Sequence, residues 1–435
     1  MVRIKIKKLG INGEGIGFKD RMPVFVDGAL KDELVDITIT KSFPKYKIAI
    51  LNRIIEVSNK RVKPACPYIN ECGACQLMNE ERNEQLIDKK EFLIEALYKY
   101  ARINKKIVRN IHGGDAYGYR NECKLPIREV NNVLVTGMYK PNSNTFIPIE
   151  ECIVHDKELE RIRKEVLEVL NKHNLKAYNK KTKQGLRYLV LRYIDNAELT
   201  IIKGINTIIS EEVINDLINI KDLVSISESI NTTKNDPSIF GSSINLLKGE
   251  DSIPLKINDL TLSLSPAAFF QLNTEMAKEL YDMAISKIDK CETLVEAYAG
   301  IGAMSMLAHK KAKQVYAIEN NKDAVSDGKL NVEMNKIKNI EFILDDASHG
   351  LYKVARKTYI DTLLVDPPRS GLDNKMVEAI THILPNKIVY VSCNPATLAK
   401  NLNILKNYYN IRTIIPFDLF PNTPLVESIT VLELK

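Results

Sequence analysis

The spacing of apolar and polar residues changes along the chain, and each pattern predicts a different kind of element. In residues 1–57, runs such as 23–27 and 34–40 alternate apolar with polar side chains, and glycines interrupt them. Short alternating runs separated by turn residues predict the strands of a small β-barrel. Residues 80–100 carry apolar side chains at helical spacing among many charges, which predicts an amphipathic helix.

Beyond residue 110 the patterns indicate two further regions. Up to about residue 250, strand-like runs such as 133–139 and 189–193 alternate with helices, and residues 231–243 are predicted to form a loop. From about residue 255, apolar strands alternate with helices, which is typical of a parallel sheet covered on both faces. These strands are predicted at residues 293–296, 314–319, 341–345, 362–366 and 387–392.

The changes of pattern predict three domains. We expect an OB-like barrel at residues 1–57, a small α+β domain at residues 58–250, and an α/β, Rossmann-like domain at residues 251–435. The helix near residues 80–105 precedes the central domain along the chain, but it is a candidate to pack on the last domain.

Composition and charge indicate a possible nucleic-acid partner and give no sign of a membrane segment. The formal net charge is +7, and up to Lys63 basic residues outnumber acidic ones by roughly two to one. Such a bias fits a surface that follows phosphates, although a solvated basic face is the alternative. No apolar run reaches the roughly 18 residues that span a bilayer, and the first residues lack the apolar core of a signal peptide. We therefore expect a cytoplasmic protein without a membrane partner.

A glycine-containing turn follows the first predicted strand of the last domain. Gly300 and Gly302 let the backbone approach a ligand there, and Glu319 ends the next strand about twenty residues later. A carboxylate at that place can accept both hydroxyl groups of a ribose, which predicts a nucleotide-type cofactor. A dinucleotide is disfavoured because Ser305 stands where its fingerprint has a third glycine. A tight turn without a ligand is the other alternative.

Two acids follow later strands of the same domain. Asp346 comes after the third apolar segment, where an adenine amino group could be bound. Asp366, in Asp366-Pro-Pro-Arg369, ends the fourth strand, beside the crevice in which open α/β sheets bind ligands. A rigid turn without a ligand is the alternative for this motif.

A cysteine between the fifth strand and a helix is the candidate nucleophile. Pro395 suits the first turn of a helix, so Cys393 lies just ahead of a helix N-terminus, where the dipole favours a thiolate. A thiolate that adds to carbon 6 of uracil makes carbon 5 nucleophilic towards a methyl sulfonium, and a base must then remove the carbon-5 proton. Glu427 is the candidate base. The alternatives are a buried structural cysteine and a surface carboxylate.

Three of the seven cysteines are closely spaced. Cys66, Cys72 and Cys75 lie within ten residues, and Cys152 can supply a fourth thiol. Four thiolates suit zinc or an iron–sulfur cluster, and the three-plus-one spacing favours [4Fe-4S] over a zinc ribbon with two Cys-x-x-Cys pairs. A redox-active Cys72–Cys75 pair is the third alternative.

Together these residues resemble the RumA/TrmA family of RNA uracil-C5 methyltransferases, over nearly the whole chain. Gly13-Glu-Gly-Ile-Gly17 and the run 24–29 look like the family's RNA-binding TRAM domain. The four cysteines are similar to the [4Fe-4S] set of the RumA branch, which the bacterial TrmA branch lacks. Tyr119-Arg-Asn121 and Gly185-Leu-Arg187 resemble segments of the family's central domain.

The resemblance implies particular roles in the last domain. Cys393 is the expected nucleophile, Glu427 the expected proton acceptor, and Phe269 is expected to face a uracil flipped out of folded RNA. The residues expected to bind S-adenosylmethionine or to frame its pocket are Gln271, Tyr298, Glu319 and Asp366. This sequence departs from the family pattern at Ala74, at Glu296 and at Leu425, where relatives often have glycine, aspartate and histidine.

The expected activity is therefore S-adenosylmethionine-dependent methylation of uracil C5 in structured RNA. We favour 23S rRNA as the substrate and a monomer as the active form, with the cluster as a structural staple. Transfer RNA and a non-catalytic RNA-binding role are the alternatives. A DNA cytosine methylase would normally have Pro where Ser392 precedes Cys393. An iron–sulfur radical methylase would need a different cysteine spacing.

Overall fold

The protein was analysed as a computed structural model, which describes residues 2–141, 143–233 and 239–435. The chain divides into two compact units, one formed by residues 2–116 with 367–435 and the other by residues 117–366. Part of the loop predicted at 231–243 lies outside the described residues. In the described ranges no helix is long and apolar enough to span a membrane.

The described strands are, in chain order, β1 (Val2–Leu9), β2 (Gly15–Lys19), β3 (Met22–Val26), β4 (Leu34–Ser42), β5 (Lys47–Glu56), β6 (His112–Gly113), β7 (Glu122–Val130), β8 (Val133–Tyr139), β9 (Phe146–Pro148), β10 (Leu186–Ile194), β11 (Asn196–Lys203), β12 (Leu223–Ile230), β13 (Asn245–Gly249), β14 (Ile253–Ile257), β15 (Leu260–Leu264), β16 (Cys291–Ala297), β17 (Ala312–Glu319), β18 (Ile340–Leu344), β19 (Thr362–Val365), β20 (Lys387–Ser392), β21 (Tyr409–Asp418) and β22 (Glu427–Leu434). The described helices are α1 (Ile69–Cys72), α2 (Arg82–Ala101), α3 (Lys157–Lys172), α4 (Glu211–Ile218), α5 (Thr274–Ser286), α6 (Ala303–Ala308), α7 (Lys322–Met334), α8 (Ala347–Ala355), α9 (Asn374–Ile383) and α10 (Pro395–Leu405).

The first unit contains a closed barrel and a second group of strands. The barrel has the order β1-β2-β3-β5-β4, and alternate residues of its strands fill a small aliphatic core. Its outside packs on α2, because Leu9 and Leu30 of the barrel form one buried cluster with Leu77 and Phe92. The same helix packs on α10, and the strands beside these helices have the order β20-β22-β21-β6.

The second unit contains a mixed sheet and a parallel one. The mixed sheet has the order β13-β12-β11-β10-β7-β8-β9, with α3 and α4 against its buried face. The parallel strands have the order β18-β17-β16-β19 and are connected by helices α6 to α8. Along the chain, the hairpin β14–β15 and helix α5 come after the mixed sheet and before the parallel strands.

The sequence predicts five strands of the last region well but does not predict the two strands that end it. Strands β16, β17, β18, β19 and β20 lie at the expected places, within two residues of the predicted bounds. Strand β22, however, pairs antiparallel with both β20 and β21. An antiparallel pair needs no helical crossover, and residues 419–426 connect β21 directly to β22. Strands β21 and β22 therefore form an antiparallel end of the sheet that the local patterns did not predict.

Candidate active site

The turn after β16 holds its backbone in conformations that glycine adopts most easily. Tyr298 has φ of 65°, Gly300 of 54° and Gly302 of 75°. A Cβ on Gly302 would lie 2.5 Å from the ring of Phe342, so a larger residue would clash there. A Cβ on Gly300 would meet no atom within 4 Å, so this part of the turn borders open space. The turn is thus built so that a ligand could approach its backbone.

The carboxylate of Glu319 is fixed against this turn. Its Oε2 accepts a hydrogen bond from the backbone nitrogen of Gly300 at 2.9 Å. Its Oε1 accepts from the nitrogens of Asn320 at 2.9 Å and Asn321 at 2.8 Å. These bonds set the direction of the carboxylate, and its oxygens retain lone pairs for further donors, such as the hydroxyls of a ribose.

Two more acids lie at the carboxyl ends of β16 and β19, in the same unit. Glu296 is buried, accepts a hydrogen bond from the hydroxyl of Ser305, and burial raises its pKa to about 8. Asp366 retains some exposed surface, yet desolvation raises its pKa to about 7. Ser305, which replaces the third glycine of a dinucleotide fingerprint, therefore has a structural partner of its own. Both acids have the perturbed pKa that is common at functional sites.

Asp346 has a structural task besides the role expected of it. It is the N-cap of α8, and its Oδ1 accepts hydrogen bonds from the nitrogen of Ser348 at 3.0 Å and of His349 at 3.3 Å. The hydroxyl of Ser348 donates to the same oxygen at 2.6 Å. Capping holds this carboxylate just after the end of β18, and Asp346 is exposed to solvent.

The segment with Phe269 and Gln271 is held by a buried arginine that the sequence analysis did not select. The guanidinium of Arg192, on β10, donates to the backbone oxygens of Ser265 at 3.3 Å and Ala268 at 2.6 Å. Its remaining donors go to Glu122 at 2.8 and 3.1 Å and to Glu198 at 2.9 Å. Four hydrogen bonds and the ion pair with Glu198 therefore fix the direction of this guanidinium.

Asn121 holds the other end of the same segment. Its backbone nitrogen donates to the oxygen of Leu272 at 2.9 Å, and its amide donates to the oxygen of Gln271 at 3.1 Å and the hydroxyl of Thr274 at 2.6 Å. Between these two attachments Phe269 leaves 73% of its surface exposed, whereas Gln271 is buried. The segment is thus fixed at both ends with one aromatic ring directed outward.

Cys393 and Glu427 both belong to the first unit and adjoin the same end of one antiparallel strand pair. Strands β20 and β22 are antiparallel, and Ser392 pairs with Ser428. Cys393 directly follows Ser392 and Glu427 directly precedes Ser428. Cys393 is half-buried and directly precedes Asn394, whose side chain caps α10 by accepting from the nitrogen of Ala396 at 3.0 Å. Glu427 is 6% exposed, so it is not a surface carboxylate.

A second buried charge network holds the connection that leads to Glu427. Asp418, at the end of β21, is fully buried and accepts hydrogen bonds from Lys89 and Arg82 of α2. Lys89 also donates to the backbone oxygen of Phe420 at 2.9 Å, and burial lowers its pKa to about 8. The signal in the sequence was a lysine on the apolar side of a predicted helix, a position that requires a buried partner.

An amide pair adds a second attachment for this connection. Gln85 of α2 accepts from the nitrogen of Asn422 at 3.2 Å and donates to its side-chain oxygen at 3.3 Å. The nitrogen of Leu77 donates to the oxygen of Asn422 at 2.9 Å. Helix α2 therefore positions the residues between Asp418 and Glu427, although it lies more than three hundred residues earlier in the chain.

The four cysteines expected to bind a cluster are distributed over the two units. Cys66, Cys72 and Cys75 belong to the first unit and Cys152 to the second. Burial raises the pKa of Cys72, and the nearby thiol of Cys66 adds to this rise. Across the residues that the structure describes, no group of three or more His, Cys, Asp or Glu side chains has the geometry to hold a metal ion. The cluster is thus not supported by the geometry.

Comparison with known proteins agrees with the methyltransferase fold and with a TRAM domain at the N-terminus. A family model described as tRNA (uracil-5-)-methyltransferase matches residues 81–435, and a TRAM domain model matches residues 1–51. The crystal structure of Pyrococcus abyssi tRNA (uracil-54, C5)-methyltransferase with S-adenosyl-L-homocysteine has a TM-score of 0.77 and 24% identity, and covers 99% of this chain and 100% of its own.

Related sequences match along the full length. An uncharacterized RNA methyltransferase of Listeria innocua is 32% identical over 100% of this chain and 98% of its own, and one of Clostridium tetani is 33% identical over 98% and 95%. The family model and these relatives define the class, an S-adenosylmethionine-dependent RNA methyltransferase. The chain belongs to the RumA/TrmA family of RNA uracil-C5 methyltransferases, with a TRAM domain at its N-terminus.

Proposed function

We propose that this enzyme methylates carbon 5 of a uracil in structured RNA, with Cys393 as nucleophile and Glu427 as base. The observation that supports the proposal is the register of β20 and β22, which pairs Ser392 with Ser428, the neighbours in sequence of the half-buried Cys393 and the buried Glu427. A nucleophile and a proton acceptor on neighbouring strands can act on adjacent carbons of one flat ring.

The reaction follows from the chemistry of the ring. The Cys393 thiolate adds to carbon 6, the 5,6 double bond becomes an enolate, and carbon 5 takes the methyl group from the sulfonium of S-adenosylmethionine, which leaves as S-adenosylhomocysteine. Glu427 then accepts the carbon-5 proton, the double bond re-forms and the thiolate departs. The N-terminus of α10 next to Cys393 favours the thiolate in the first and last steps.

The second unit supplies the groups proposed for the methyl donor. Glu319, fixed by three backbone nitrogens, is proposed to accept the ribose hydroxyls. Asp346 is proposed to accept the adenine amino group, and Gln271, Tyr298 and Asp366 to frame the remainder of the pocket. Phe269, fixed on its segment and exposed, is proposed to stack on the flipped uracil.

Two kinds of RNA are candidate substrates. We propose 23S rRNA as the substrate of a monomeric, cytoplasmic enzyme. Transfer RNA is the second candidate, favoured by the match to a family model described as a tRNA methyltransferase and by the similar fold of a tRNA (uracil-54, C5)-methyltransferase. The TRAM barrel, with exposed Phe18 and Phe43, supports RNA binding in either case.

A [4Fe-4S] cluster on Cys66, Cys72, Cys75 and Cys152 is part of the proposal as a structural staple. Thiolates are the ligands of such clusters, and the close spacing of Cys66, Cys72 and Cys75 along the chain supports the assignment. Anaerobically purified protein should contain about four irons per chain, and Cys72→Ser should lower the iron content and the Tm. Cys291→Ser, which changes a half-buried thiol elsewhere, should change neither. Iron-free protein with an unchanged Tm in both variants would contradict the cluster.

Transfer of a labelled methyl group tests the proposed reaction. Unmodified 23S rRNA and unmodified transfer RNA are incubated separately with labelled S-adenosylmethionine, and the nucleosides are analysed. We expect 5-methyluridine in one RNA, loss of the label with Cys393→Ala, and retention of the label with Cys291→Ala as the matched thiol control. Label in another nucleoside, or full activity of Cys393→Ala, would contradict the mechanism.

A further inference from the structure

A surface of the first unit combines exposed cations with tyrosine rings. Residues 96–110, which form the end of α2 and the turn after it, contain five basic residues and no acidic one. All five are exposed, and within the described ranges none of them forms an ion pair. They are Lys99, Arg102, Lys105, Lys106 and Arg109. We call the surface made by these residues, Tyr98, Tyr100 and Lys400 the basic tyrosine surface.

The tyrosines hold three of the cations in place. Arg102 lies over the ring of Tyr98, 5.1 Å from its centre. Lys99 and Lys400 lie 5.0 Å and 5.4 Å from the centre of the Tyr100 ring, so one ring draws together cations of α2 and α10. A cation held over an aromatic ring loses less rotational freedom on binding than a freely solvated side chain does. The arrangement is therefore organised before a ligand arrives.

This organisation separates the surface from an ordinary solvated basic face. Other basic side chains of the same unit are neutralised, as Lys8 is by Glu95 at 2.6 Å and Arg3 by Asp36 at 2.8 Å. On the basic tyrosine surface the charge is left uncompensated. Tyr98 also keeps 59% of its surface exposed, which leaves a ring available for stacking. Uncompensated cations beside an exposed aromatic ring fit a single-stranded polyanion with bases.

We propose that the basic tyrosine surface binds the sugar–phosphate backbone of RNA that flanks the target uridine. The inference rests on RNA being the substrate of the proposed function, but it concerns binding and does not require turnover. The surface belongs to the same unit as Cys393 and the barrel. It would thus add a second phosphate contact region to the one expected of the TRAM domain.

The salt dependence of RNA binding tests the proposal directly. Lys99, Arg102, Lys105 and Lys400 are replaced together by Gln, and the Kd for an unmodified transfer RNA transcript and for a 20-nucleotide oligo(U) is measured from 50 to 200 mM salt. Each lost phosphate contact should lower the slope of log K against log salt by roughly 0.7 to 0.9, so the slope should fall by about three. All four positions are exposed, so folding should not change.

A matched control removes the same charge elsewhere. Lys290, Lys329, Lys336 and Lys338 are exposed residues of the second unit, and replacing all four by Gln should leave the slope nearly unchanged. Equal slopes for the two quadruple variants would overturn the proposal, because the effect would then be one of net charge. Tyr100→Leu, which keeps the charge, should weaken binding a few-fold, whereas Tyr359→Leu, at a 55% exposed position, should not.

The outcomes separate this proposal from the proposed function. If the wild-type protein binds RNA but transfers no methyl group, the proposed function fails and the binding test still decides the surface. If methylation proceeds and the surface variant binds with the wild-type slope, the proposed function stands and the surface proposal fails.

Discussion

Two segments that carry proposed site residues are held by buried charges, and the two arrangements are opposite in composition. The segment before Phe269 is held by one cation, Arg192, between the carboxylates of Glu122 and Glu198. The segment before Glu427 is held by one carboxylate, Asp418, between two cations of α2. In both cases an element distant in sequence holds a connection between elements through buried polar contacts.

The two networks differ in whether the charge that remains can be neutralised when a partner is lost. Without Arg192, Glu198 can take up a proton, since burial already raises its pKa to about 7. Without Asp418, Arg82 stays charged, because a guanidinium does not deprotonate in proteins. Loss of the single carboxylate therefore leaves the charge of Arg82, whose side chain is 25% exposed, and the buried amine of Lys89 without a counter-charge, and we expect the first unit to be the more sensitive of the two.

The largest effect is expected for Asp418→Asn. This change leaves Lys89 and Arg82 without a counter-charge and should lower the free energy of unfolding by roughly 3–5 kcal/mol, measured by urea denaturation. Asp36→Asn is the matched control, since Asp36 also lies between two arginines, Arg3 and Arg53, but both are largely exposed. The control should cost much less, because ion pairs with solvent-exposed partners contribute little to stability. Similar losses in the two variants would remove the distinction between buried and exposed networks.

Arg192→Lys should separate positioning from stability. A lysine cannot reproduce the fork that reaches two carboxylates and two carbonyls, so the Phe269 segment should shift and kcat should fall about tenfold or more. Arg163→Lys is the control, because Arg163 is a buried arginine of the same unit that contacts Glu160, Thr136 and Glu150 instead. Both variants should lose a similar amount of stability.

The two arginine variants are compared by KM for RNA and by kcat at a temperature where both are folded. A lower kcat in Arg192→Lys alone supports a positioning role. An equal fall in both would show that the effect is only structural.

The smallest effect is expected for Glu198→Gln, which tests how the Arg192 network makes stability depend on pH. Burial raises the pKa of Glu198 from 4.5 to about 7, so the folded protein holds this proton more tightly than the unfolded chain. The contribution of Glu198 to stability is therefore present at low pH and is lost as pH rises through about 7. The variant should lack this dependence and be about 1 kcal/mol more stable than the wild type at pH 8. A variant less stable than the wild type at pH 8 would contradict this sign.

The sequence predicts those parts of the site in which the relevant residues are neighbours along the chain. Gly300, Gly302 and the position of Cys393 ahead of α10 follow from local patterns, because a turn or a helix start needs only a few adjacent residues. The placement of Glu427 depends on the antiparallel pairing of β22, which local apolar runs do not reveal. Arg192 and Asp418 act through partners about seventy and more than three hundred residues away, so no local pattern could identify their roles.

The central claim, that Cys393 and Glu427 act on one uracil, is tested most directly by trapping the intermediate. Glu427→Gln is incubated with S-adenosylmethionine and the RNA that the wild type methylates, then run on a denaturing gel. Without the base, the methylated ring should stay bonded to Cys393, which gives a protein–RNA adduct that the double variant with Cys393→Ala does not form. Turnover by Glu427→Gln with no adduct would contradict the assignment of the base, and an adduct in the double variant would contradict the nucleophile.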